Sequence, residues 1–142
     1  MDEAVIEEAG RWLKKAKNDL RSARRLYTDE PPLLDTAVYH CQQAAEKSLK
    51  AFLALHEVAL SKTHLLLPLL DQCLAHDSDF EILRDAAEIL TPFATSFRYP
   101  GDMLEPAVED VEEALTLAGM VVEFVLERMP TKVRDGISKP ST

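Results

Sequence analysis

A chain of 142 residues is the size of one domain and can bury a continuous apolar core without disulfides or metals. It is 46% hydrophobic, only 6% aromatic and carries four glycines, a balance that favours helices and argues against a β-sandwich of short strands joined by tight turns. The net charge of -9 opposes a sequence-independent grip on nucleic acid, whose phosphates must be neutralised by Lys and Arg, and no apolar run approaches the roughly 20 residues of a membrane span.

Apolar residues recur at helical spacing almost throughout. Val5, Ala9, Leu13, Ala16, Leu20, Ala23 and Tyr27 fall three or four apart and predict a first helix of about seven turns, which Pro31-Pro32 stops. Proline is tolerated in a first turn, so the same pair opens a second helix from about Leu33 to Val58 on Val38, Cys41, Ala45, Leu49, Phe52 and Leu55. Thr63 is the expected N-cap of a short helix that buries Leu65, Leu66, Leu69, Leu70, Cys73 and Leu74 and bends at Pro68. Asp77 to Asp79 reads as a turn, and Phe80 to Phe97 as a helix distorted by Pro92. After the break at Arg98-Tyr99-Pro100-Gly101-Asp102, a last helix runs from about Pro106 to Met129 on Val108, Val111, Leu115, Ala118, Val122 and Val125. The expected fold is all-α, an up-and-down antiparallel bundle of four long helices plus one short helix. It forms a single domain over residues 1–129, with a flexible tail over 130–142.

Residues 11–25 hold seven bases against one acid, Asp19, while residues 99–127 hold eight acids and no base. Either the first and last helices lie side by side, or the basic face docks an acidic partner. Cys41 and Cys73 stand in apolar helical contexts with no Cys-x-x-Cys or Cys/His cluster, so two buried, reduced thiols are expected, with no metal and no cofactor. Met1 leads into the acidic segment Asp2 to Glu8 and not into a basic leader, and the expected location is the cytoplasm.

Tyr39, Gln43, Glu46, Lys47 and Lys50 share one face of the second helix, opposite its apolar stripe. By themselves they read as a solvated face with an i,i+4 Glu46–Lys50 pair worth a few tenths of a kcal/mol. The string that holds them, Ala37 to Leu55 (AVYHCQQAAEKSLKAFLAL), resembles the central helix of HEPN-domain proteins. Thr63-His64 followed by Leu65 and Leu69 resembles that family's short Thr-His helix start, and Arg98-Tyr99-Pro100 its Arg-Tyr-Pro break. Trp12, Ala16, Asp19, Leu20 and Ala23 resemble its first helix, so the likeness runs over residues 10–128.

The resemblance implies a bundle that is often a homodimer, a minimal nucleotidyltransferase partner in a toxin–antitoxin-type pair, and a nucleotide or RNA ligand. Many HEPN proteins are metal-independent ribonucleases that carry an Arg followed, after four to six residues, by a His that moves a proton while the Arg stabilises phosphate charge. Here the three positions open to that His after Arg98 are Met103, Leu104 and Glu105, and no other Arg has a His at that spacing. No catalytic residue is therefore assigned, and Glu105 beside Pro106 reads as an acid complementing a helix start. His40 and His64 have no visible nucleophile or metal-ligand companion, and His56 and His76 sit at helix ends.

Two expectations follow. In one, Gln43, Lys47, Lys50, Arg98 and Tyr99, with Glu46 and His64 beside them, line a groove between the second and fourth helices where cations hold phosphate and Tyr99 stacks on a base. In the other, the chain is a non-catalytic module that binds a second copy or a nucleotidyltransferase, and Arg98 only ties down the break.

Overall fold

A helix with an apolar stripe must bury it against another, and the short Pro31-Pro32 connection makes the second helix the nearest partner of the first. In the computed structural model, which describes residues 2–101 and 104–138, α1 (Glu3–Thr28) and α2 (Leu34–Leu55) form that hairpin. Asp2 caps α1 by accepting the Ala4 amide, and the Leu33 amide closes the turn on the Leu26 carbonyl at 2.9 Å. Ala9, Leu13, Ala16, Leu20 and Ala23 are buried along the α1 stripe.

The second helix is the axis of the molecule. It packs against α1, α3 (Leu66–Leu74) and α5 (Val108–Glu127), and every residue from Cys41 to Leu55 except Lys47 is buried. The solvated face expected from its polar residues is therefore not found: Gln43, Glu46 and Lys50 lie inside the bundle, where each must find a partner, and Tyr39 and Lys47 are half-buried. Its end is earlier than expected: Glu57 takes a left-handed φ of 57° and the Val58 amide reaches back to the Leu53 carbonyl at 3.0 Å, a Schellman-type stop without glycine.

The rod expected over Phe80–Phe97 is composite. A 3₁₀ turn (Ser78–Leu83) leads into α4 (Arg84–Leu90), and a second 3₁₀ turn (Thr91–Ala94) follows. Asp77 starts the first turn by accepting the Asp79 amide, and Pro92, with no amide to give, ends the α-helical ladder near Leu90. Phe80 at its start is fully buried, 4.4 Å from the Phe52 ring and 4.9 Å from the Phe124 ring. Helix α3 begins at Leu66, so Thr63 is not its N-cap, although its hydroxyl accepts the Leu65 amide; Pro68 falls in the first turn, where no helical bond is lost.

Lys17 lies 3.7 Å from Glu123 and the Arg24 guanidinium reaches Gly119, so α1 and α5 run antiparallel, with one base of the first helix paired to an acid of the last. The segment after Met129 is not frayed over its described part: α6 (Thr131–Ser138) buries Val133 against α1, and Lys132 pairs with Glu3. Cys41 and Cys73 are buried free thiols whose pKa burial pushes up to about 12. Among the described residues there is no strand, and no helix is long and apolar enough to cross a membrane.

Candidate functional site

Two polar clusters are built on α2. The first is internal. Glu46 accepts from Lys50 Nζ at 3.0 Å, from Gln42 Nε2 at 3.2 Å and from His64 Nδ1 at 3.0 Å. Gln42 also donates to the His64 carbonyl at 2.9 Å and accepts from Gln43 Nε2 at 2.7 Å. The Glu46 and Lys50 side chains are only 4% and 8% exposed, and Lys50 Nζ sits 5.6 Å from the Trp12 ring centre. Among the described residues no buried side-chain nitrogen or oxygen is left without a partner. This cluster pins α3's entry to the bundle axis, and its charges are spent on one another.

The second cluster opens to solvent. Asp19, on the buried side of α1, accepts from Lys47 Nζ at 2.6 Å and from His40 Nδ1 at 2.8 Å. A carboxylate cannot donate, so Nδ1 carries the proton in that bond and Nε2 is the ring nitrogen left for another partner, an acceptor in the neutral ring and a donor in the imidazolium. The His40 ring meets Tyr39 edge-on at 5.4 Å, and the Arg98 guanidinium lies 3.9 Å over the Tyr39 ring centre. Arg98 is aimed there by its own loop: Phe97 adopts a left-handed φ of 68°, rare for a bulky residue, and Arg98 Nη1 donates to the Ala94 carbonyl at 2.9 Å. Asp35, Thr36, Tyr39, His40 and Arg98 line one cleft of about 250 Å³.

The seven residues proposed from sequence are thus divided. Gln43, Glu46 and Lys50 are interior, and His64 is held to them from the α3 entry. Lys47 is tied to Asp19 and lines a separate cleft with Glu8, Arg11, Trp12 and Lys15, linked to Arg98 only through Asp19, His40 and Tyr39. Tyr99 is 61% exposed. Asp19 and His40 were not among the seven. Their signal in the sequence is phase: Asp19, the one acid of the basic run, falls three residues after Ala16 and four before Ala23, on the stripe that faces α2.

A family model for the HEPN domain matches residues 9–129. The chain belongs to the HEPN family. Among solved structures it is similar to TT1696 from Thermus thermophilus, at 32% identity and a TM-score of 0.74 over 85% of this chain and 98% of that one. It shares its fold with ST0689, an archaeal HEPN homologue, at 24% identity and a TM-score of 0.66 over 86% of this chain and 98% of that one. A search of the curated proteins finds no match. Of the three positions where a HEPN ribonuclease would carry its His, Leu104 is exposed and followed by Glu105, and Met103 lies outside the described residues.

Proposed function

We propose that this HEPN protein is a nucleotide-binding subunit whose ligand phosphate sits between Arg98 and His40. The observation that carries this reading is the shared cleft: Arg98, stacked on Tyr39, and His40, oriented by Asp19, come from distant points in the chain and line one opening. A guanidinium supplies two parallel donors to a phosphate, and the imidazolium form of His40, its Nδ1 held by Asp19, adds Nε2–H as a third. Lys47 and Lys50, already neutralised by carboxylates, take no part. Titration calorimetry with ATP, GTP and a short RNA tests it. Arg98→Ala is expected to weaken nucleotide binding about 10- to 100-fold, the loss of one charged hydrogen-bonding group. Binding that is absent, or unchanged in Arg98→Ala, overturns it.

A second reading is a non-catalytic interaction module, a homodimer or the partner of a minimal nucleotidyltransferase in a toxin–antitoxin-type pair. It is favoured by the apolar side chains Leu65, Ile82, Leu104 and Met120, which are exposed among the described residues. Light scattering on the purified protein, and copurification with a co-expressed nucleotidyltransferase, test it; a monomer that retains no partner removes it.

A further inference from the structure

The basic run of α1 is more than a counterpart to the acids of α5. Among the described residues, Arg21, Arg24 and Arg25 make no ion pair. Asn18, Arg21, Ser22 and Arg25 recur at i, i+3, i+4 and i+7, so an amide, a hydroxyl and two guanidinium groups share one strip of the helix. That strip forms one wall of an open cleft of about 720 Å³, and its other wall is Thr36 and His40 of α2. Thr36 and His40 also line the Arg98 cleft, so the two openings meet at His40. Two arginines one turn apart repel each other, and among the described residues no carboxylate forms an ion pair with either. Of the acids nearby, Asp19 holds His40 and Lys47, while Asp35, which accepts the Thr36 amide at 2.8 Å, keeps its charge and lines the Arg98 end and not the arginine strip.

We propose that the site takes a nucleoside di- or triphosphate, with one phosphate at Arg98 and the rest of the oligophosphate passing His40 to Arg21 and Arg25. This rests on the nucleotide-binding reading above and adds the ligand class to it. A monophosphate fills only the Arg98 end; a second phosphate brings a further charge into reach of two unpaired guanidinium groups, each able to form charge-assisted bonds.

Calorimetry with GMP, GDP and GTP at one fixed ionic strength, without magnesium, tests the assignment. GDP is expected to bind at least tenfold more tightly than GMP, and in Arg21→Ala/Arg25→Ala that ratio falls to about one. Lys14→Ala/Lys15→Ala removes the same charge from α1 outside the strip and is expected to keep the ratio. Arg21 and Arg25 are exposed, so their loss leaves the fold intact, which circular dichroism verifies. Equal affinity for GMP and GDP, a gain that survives the arginine double variant, or a gain lost equally in the lysine control overturns the oligophosphate assignment while Arg98-dependent binding of GMP preserves the nucleotide reading. Tight binding of short RNA without a GDP preference has the same consequence. No binding of any nucleotide removes both.

Discussion

Truncating Glu46 to Ala would leave Lys50, itself 7% exposed, as a buried ammonium facing no carboxylate, and would strip His64 and Gln42 of an acceptor. Breaking one side of a buried pair costs about 3–5 kcal/mol, because the remaining charge keeps its desolvation penalty. Against the 5–15 kcal/mol that holds a typical domain together this is a large share, equivalent to a drop in Tm of roughly 10–15 °C at this chain length. Urea unfolding, followed by helical circular dichroism, should show the midpoint falling with the slope unchanged. The paired replacement Glu46→Met/Lys50→Met removes both charges and keeps the volume, so it should recover most of the loss, giving a strong coupling energy in the double-mutant cycle. A Glu46→Ala variant that loses less than about 1 kcal/mol would mean that water reaches Lys50, and the interior character assigned to this network would be wrong.

Two further outcomes separate burial from bond counting. Arg128 bonds Asp77 at 3.0 Å and the Phe124 carbonyl at 3.1 Å while lying 3.5 Å over the Phe124 ring, all on partly buried groups. Arg128→Ala should therefore cost about 1–2 kcal/mol in thermal or urea unfolding. Arg84→Ala breaks bonds to Glu81 and Asp71 on the open surface and should leave the unfolding midpoint unchanged within error, an order that equal losses would contradict. His56 has its pKa lowered by burial and by the neighbouring His76, whose ring stacks on it at 4.6 Å, with Asp77 acting in the opposite sense. A His whose folded pKa is depressed binds its proton more readily in the unfolded chain, so stability falls as pH drops below the ordinary imidazole value of about 6.5 and levels off once the folded pKa is passed. Unfolding midpoints from pH 7.5 down to 5 should follow this slope, and His56→Asn should flatten it; an unchanged slope would assign it to other groups.

The architecture was legible because α1 and α5 each carry a long apolar stripe at helical spacing, and prolines mark where the chain turns. The two misreadings have different causes. The polar side chains of α2 read as a wet face because periodicity reports amphipathicity only while a helix has a wet side; α2 is enclosed by α1, α3 and α5 and has almost none. The expected single rod over Phe80–Phe97 failed for a local reason, since Asp77 and Pro92 favour 3₁₀ turns at its two ends more strongly than the apolar pattern favours a continuous helix.

By itself the sequence determined that the chain is helical, that it resembles HEPN-domain proteins, and that the ribonuclease His is missing after Arg98. Only the tertiary structure decided which charges are available. Lys47 and Lys50 looked like ligand-binding cations until packing set Asp19 and Glu46 against them, whereas Arg21, Arg25 and Arg98 face clefts and have no carboxylate partner among the described residues. A charge's chemistry depends on its neighbours in space, and helical phase places a side chain on its own helix without saying what the next helix brings to meet it.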